Sequence, residues 1–174
     1  METRNLVSRC ELKAFFGVKD AAGITYTRMR GFTTMSESKN PKEYTRHYVD
    51  ERHETTDVVG YSPSHSFNFD KFKGDAILED IVSIIDNETV GTEAHREIVQ
   101  VDFSKPVGAG FEARKRTFAV IGDSVGDSTD ALTYSGNFRP VSAVVTGVAT
   151  ISTPDKGTSD NVETITFVEG AQQE

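Results

Sequence analysis

The residues that come nearest to a catalytic pattern lie in VIGDSVGDSTDALTYSGNF, residues 120–138. Gly122, Ser124 and Gly126 fit G-x-S-x-G, in which a sharp strand-to-helix turn exposes a nucleophilic serine. Residues 117–121 can supply the strand. DSTDALTYSGNF cannot supply the helix, because it has turn residues and no apolar period of 3.6. All four histidines, His47, His53, His65 and His95, precede the serine, against the order that hydrolase class uses. Residues 122–126 are therefore expected to be the turn that leaves a strand, with Ser124 a surface hydroxyl. No catalytic residue and no enzymatic activity are expected.

Metal and cofactor patterns fare no better. Asp123, Asp127 and Asp130 lack the frame of an EF-hand loop, which leaves room only for an incidental ion at an acidic turn. His47 and His53 are too far apart for H-E-x-x-H, and C-x-x-C does not occur. Neither phosphate-cradling glycine motif occurs, so no nucleotide and no other cofactor is expected. Arg114, Lys115 and Arg116 form the one tight basic cluster. In a strand they divide between two faces, which suits salt bridging across a subunit contact better than a nucleic-acid patch. Cys10 is the single cysteine; it excludes an intrachain disulfide and is expected to be a small buried hydrophobe. His65, between strand residues and near Phe67 and Phe69, is expected to pack rather than ligate.

The 174 residues suit one domain with a real core, and 36% are hydrophobic. Nineteen basic residues against 27 acidic give a net charge of −8. A general grip on nucleic-acid phosphates needs clustered cations and is excluded by this balance. The N-terminus lacks the apolar run of a signal peptide. No apolar stretch reaches the ~18 residues of a membrane-spanning helix.

Elements that could position functional groups are mostly short strands. Residues 12–18 and 24–34 read as a hairpin about Ala22-Gly23. Residues 58–70 include the alternation Ser66-Phe67-Asn68-Phe69. Residues 98–103 place Val99, Val101 and Phe103 on one face. Residues 111–121 put Arg114 and Arg116 on the face that ends in Phe118 and Val120. Residues 141–151 and 162–168 complete the strands, the last with Ile165 and Phe167 on one face. One segment has helical period: Ile77, Leu78, Ile81, Ile84 and Ile85 form a single stripe. Asp75 serves as its N-cap, and the helix is expected over residues 75–88. It should lie across an open sheet face or sandwich end.

Residues 36–57, SESKNPKEYTRHYVDERHETTD, are long, polar and charged with both signs. A connection of that length in a compact domain is usually functional. Its Thr, Tyr and Val content permits an extended hairpin, and mixed charge with tyrosine suits a protein contact. The first nine residues and the tail from Gly170 read as arms. An acidic β-rich chain with one helix, a long charged excursion and two arms has the makings of an assembly subunit.

Three blocks carry a family resemblance: TRNLVSRCELKAFF (residues 3–16), NPKEYTRHYVDERHETTDVVGYSPSHSFNFD (40–70) and FEARKRTFAVIGDSVGDSTDALTYSGNF (111–138). Together the chain resembles the major tail tube proteins of long-tailed bacteriophages with non-contractile tails. The resemblance implies a mainly β fold, a β-sandwich or half-barrel with one flanking helix. It divides the chain into an N-terminal arm (1–9), a tail tube domain (10–152) with its loop or hairpin at 36–57, and a C-terminal strand and arm (153–174). It implies hexameric rings of self-contacts, stacked into a virion tube through which DNA passes without specific binding. Tape-measure, tail-tip and tail-terminator proteins are the implied partners, and no membrane is involved. Lys42, Tyr44, Arg46, Tyr48, Asp50, Arg52 and Glu54 are the expected contact residues of the excursion, with Arg114 and Arg116 beside them. The inner tube of a contractile tail or tail-like particle shares this fold. From another class, a small β-sandwich binding or adhesion module stays open.

Overall fold

The computed structural model describes residues 6–126, 129–152 and 163–170. Eleven strands and one α-helix are present among them: β1 (Leu12–Asp20), β2 (Gly23–Arg28), β3 (Phe32–Ser38), β4 (Pro41–Arg46), β5 (Thr55–Tyr61), β6 (Ser64–Asp70), α1 (Ala76–Asp86), β7 (His95–Val107), β8 (Gly110–Val125), β9 (Thr133–Pro140), β10 (Val145–Ile151) and β11 (Thr164–Glu169). Nine strands form one sheet in the order β10-β11-β2-β1-β7-β8-β9-β6-β3, and β4 with β5 forms a separate two-stranded sheet. The fold is mainly β with a single α-helix.

The length of β8 decides the architecture. Its first half pairs with β10, from Ala149 opposite Phe111 to Val145 opposite Lys115. Its second half pairs with β9, from Pro140 opposite Phe118 to Tyr134 opposite Val125. The β8–β10 pairing closes β10, β11, β2, β1, β7 and the first half of β8 into a barrel. The C-terminal strand β11 lies inside this circuit, between β10 and β2. The second half of β8 continues as one strand of a four-stranded sheet with β9, β6 and β3.

Two cores follow. Phe15, Val99, Val101, Ala113, Ala149 and Ile165 fill the barrel. The second core sits under α1 and joins Phe16, Phe67, Phe69, Phe118, Val120 and Phe138 to the helix residues Ile77, Leu78, Ile81, Val82 and Ile84. The predicted helix stripe is the buried one, and Asp75 caps the helix by accepting from the amides of Ile77 at 3.0 Å and Leu78 at 3.2 Å. Arg96 on β7 holds α1 through a two-pronged pair with Asp80, at 2.6 and 2.8 Å. That bond raises the guanidinium pKa further. Near the other end of the helix the Tyr134 hydroxyl reaches both carboxylate oxygens of Asp86 at 3.2 Å.

Several sequence expectations are corrected. Residues 24–34 are not one strand: the chain breaks at Gly31, whose φ of +77° is left-handed and where a Cβ would press on Phe72. Residues 58–70 split at Ser62-Pro63 into β5 and β6, because proline cannot donate to a ladder. The excursion over residues 36–57 is a hairpin shifted toward the C-terminus: 36–38 belong to β3, and β4 pairs with β5 from Arg46 opposite Thr55 to Pro41 opposite Tyr61. Residues 122–125 are not a turn but the end of β8, carried past a bulge between Gly122 and Ser124 by pairing to β9. Cys10 is exposed rather than buried, in a 3-10 turn over Arg9–Glu11 with its sulfur 3.0 Å from the Ser8 hydroxyl.

Candidate functional site: a sheet with two free edges and a projecting hairpin

Alternation along β6 and β9 builds the site. In β6, His65, Phe67 and Phe69 are buried, while Ser64, Ser66, Asn68 and Asp70 are half-buried on the opposite face. In β9, Tyr134, Gly136 and Phe138 are buried and Thr133, Ser135 and Asn137 are half-buried. Register aligns the polar sets: Ser66 lies opposite Asn137, Asn68 opposite Ser135, and Asp70 opposite Thr133. On the outer strands Ser36 lies opposite Ser66, and Ser124 opposite Ser135. Hydroxyls bond across these pairs, Ser36 to Ser66 at 2.9 Å and Ser124 to Ser135 at 2.7 Å. One face of this four-stranded sheet is therefore the aromatic core, and the other is a ladder of hydroxyls and amides.

Among the described residues this sheet has two free edges. β3 is its last strand and has a partner on one side only. On the far side, the pairing of β7 with β8 begins at His95 opposite Ala119, so residues 120–125 of β8 pair with β9 alone. A groove of about 540 Å³ runs beside that edge, walled by Ile84, Ile85, Val90 and Ala94. All neighbours in the sheet are antiparallel, β8 to β9, β9 to β6 and β6 to β3. β3 therefore runs opposite to β8. The free edges of two copies laid side by side would meet as an antiparallel pair, the more stable ladder. At the β3 edge Arg9 Nη2 reaches the Met35 carbonyl at 3.3 Å.

The β4–β5 hairpin stands apart. Every residue of β4 is exposed, and β5 is exposed except at Gly60. Its base is clamped where the Ser62 amide donates to the Asn40 carbonyl at 3.0 Å and the Asn40 side chain donates to the Ser62 carbonyl at 3.1 Å. Lys42, Tyr44 and Arg46 alternate onto one face of β4, with the Arg46 guanidinium 5.2 Å from the Tyr44 ring centre. Tyr48, Asp50, Arg52 and Glu54 occupy the connecting turn. Tyr44, Tyr48, Val58, Val59 and Tyr61 are exposed apolar surface. An isolated two-stranded hairpin is marginal in water, and this one leaves its tyrosine and valine side chains in solvent.

Arg114 and Arg116 are elsewhere, in the wall of β8. Arg114 bonds Glu112 at 3.1 Å and Arg116 donates to the Ser142 carbonyl at 2.7 Å. Asp127 lies outside the described residues, and no metal-ligand cluster occurs among the described ones. No helix among them is long and apolar enough to cross a membrane.

Under the sheet, His65 is buried, as Lys13 is on β1. Its ring stands edge-on to Phe118 at 5.0 Å, and Nε2 faces Gln100 at 3.1 Å and the Glu37 carboxylate at 3.6 Å. Burial lowers its pKa; Glu37 opposes that shift, while Lys39 and Arg116 add to it. In the barrel the Tyr26 hydroxyl donates to Glu97 at 2.6 Å. Burial, then that bond, pushes the Tyr26 pKa well above the ordinary phenol range.

Comparison with solved structures gives a match to the SPP1 tail tube determined by solid-state NMR and cryo-EM. The TM-score is 0.69 over 90% of this chain and 87% of that chain. This chain has the tail-tube fold. Sequence identity across the match is 14%, so the tail-tube likeness is one of fold. The anti-feeding prophage baseplate aligns more loosely, at TM-score 0.48 and 8% identity over 84% of this chain and 97% of that one. No protein-family model and no curated protein matches the chain. The tail-tube fold agrees with the resemblance drawn from residues 3–16, 40–70 and 111–138. Sequence reasoning missed the two free edges, which depend on strand order; the hydroxyl face was present in the alternation of residues 64–70 and 133–139.

Proposed function

We propose that this chain is the structural, non-catalytic subunit of a phage tail tube, in which six copies form a ring and rings stack into a conduit for viral DNA. The observation that carries this reading is the pair of free, oppositely directed edges on one four-stranded sheet. Pairing β3 of one copy with residues 120–125 of the next is a heterologous contact that closes when the rotation returns to the start. Closure also removes the hazard that open edges pose. The hairpin, too exposed to be stable alone, is the element that reaches the adjacent ring. In a virion such a tube would meet a tape-measure protein, a tail tip and a terminator.

Negative-stain microscopy of concentrated protein tests the reading. Rings or tubes are expected, and a sample that stays monomeric at every concentration overturns it. Glu37→Pro probes the edge directly. Glu37 is on the same side of β3 as Met35, whose carbonyl points away from β6, so proline there deletes an outward donor and spares the internal ladder. The variant should fold with an unchanged circular dichroism spectrum and form no rings.

A further inference from the structure

We infer that the N-terminal turn beside β3 of one copy docks in the groove beside the free β8 edge of the next copy, with Leu6 and Val7 against its apolar wall and Arg9 against Glu88 and Asp123. This rests on the tube reading above and names the side-chain contact that accompanies the edge pairing.

Each free edge is flanked by a hollow on the same side of the sheet. Beside β3 lies a cleft of about 710 Å³ whose walls include Ala14, Met29, Phe32 and Met35, all packed against the core under α1. Beside residues 120–125 lies the groove of about 540 Å³, with Ile84 and Ala94 in that same core and Ile85 packed on it. A sheet continued from copy to copy keeps this side in common, so pairing the edges sets the two hollows against each other.

The hollows are opposite in charge. Among the described residues, Arg9, Lys13 and Arg28 line the first against the carboxylate of Glu37. Glu88 and Asp123 line the second, with no lysine or arginine. Both carboxylates are exposed, and neither has an ion-pair partner among the described residues. The last turn of α1, whose C-cap Asn87 precedes Glu88, carries no basic residue, so the helix dipole adds to the negative potential there. In a chain of net charge −8, the cationic cleft runs against the overall balance. Complementary charge of this kind fixes orientation and suppresses wrong pairings.

The turn is held where it can cross to a neighbour. Glu11 accepts from the Ser8 amide at 3.2 Å, and its own amide donates to the Ser8 carbonyl at 3.0 Å. Arg9 Nη1 donates to the Leu12 carbonyl at 2.8 Å. Leu6 and Val7 are left 99% and 64% exposed, as Val90 in the groove is 81% exposed. Arg9 Nη2 rests on the outward carbonyl of Met35. When an amide of the neighbour's β8 takes that carbonyl, the guanidinium is released toward Glu88 and Asp123.

Charge reversal in two different chains tests the contact. One chain carries Arg9→Glu, the other Glu88→Lys with Asp123→Lys. The changed side chains are exposed, so both chains should keep the parent's circular dichroism spectrum and thermal midpoint. Each alone should need about tenfold more protein than the parent to form rings in negative stain, because like charges then face across every contact. A one-to-one mixture can alternate around a ring of six and restores opposite charges at every contact. Its rings should return within about threefold of the parent's concentration. Arg9→Gln is a milder probe: between about 0.05 and 0.5 M salt, its ring formation should weaken less than the parent's. Rings at the parent's concentration from either reversed chain, a mixture no better than its components, or equal salt dependence overturns the docking and leaves the tube reading standing. Failure of the unsubstituted chain to form rings overturns both.

Discussion

Phe15 and Phe16 are adjacent in β1 and completely buried, yet they fill different cores. Phe15 points into the barrel with Val99 and Ile165, and Phe16 points under α1 with Ile98 and Phe118. The two-residue period of a strand sends neighbours to opposite faces, and here both faces are covered. β1 and its partner β7 thus form the wall shared by the two halves of the fold.

Phe15→Ala and Phe16→Ala should each cost about 3–5 kcal/mol, as measured by urea unfolding. Hydrogen exchange distinguishes them. Phe15→Ala should release amides of β10 and β11 first, and Phe16→Ala those of α1.

Gly136→Ala should destabilise the four-stranded sheet by about 1–3 kcal/mol, as overpacking does. A Cβ at Gly136 would stand 2.2 Å from the Ile121 carbonyl oxygen and 2.7 Å from Phe67, and the backbone atom cannot rotate away. The thermal midpoint reads the loss, and Ser135→Ala beside it serves as the tolerated comparison.

His65 makes stability pH-dependent with a definite sign. Burial holds its pKa below the ordinary 6.5, so the unfolded chain binds this proton more tightly than the folded one. Its contribution is complete above about pH 6.5 and is lost as pH falls through the unfolded and then the folded value. Urea midpoints measured from about pH 7.5 to pH 5 should therefore fall less steeply in His65→Gln than in the parent. Parallel slopes would refute the assignment.

Removing residues 41–61 and joining Asn40 to Ser62 through two glycines should leave a folded domain. Those two residues already bond each other, and the hairpin contributes no residue to either core. Thermal unfolding should be little changed, while microscopy should show rings that fail to stack. An unfolded product would show that the hairpin supports the domain itself.

What the residues determined by themselves was local. Helix α1 and its cap were legible because an apolar stripe and an Asp at the N-cap are set by neighbours three and four positions apart. The faces of β6, β7, β8 and β11 were legible because alternation needs no knowledge of the partner. The three quoted blocks carried the tail-tube resemblance. Tertiary structure alone decided that β8 is shared between a barrel and a sheet, because that depends on β10 and β9 arriving beside different halves of one strand. It decided that residues 122–125 extend β8, since β9 supplies hydrogen bonds that outweigh the turn preference of Gly, Asp and Ser. It decided which edges remain free, since an edge is defined by the strand that is missing, and no single segment encodes that.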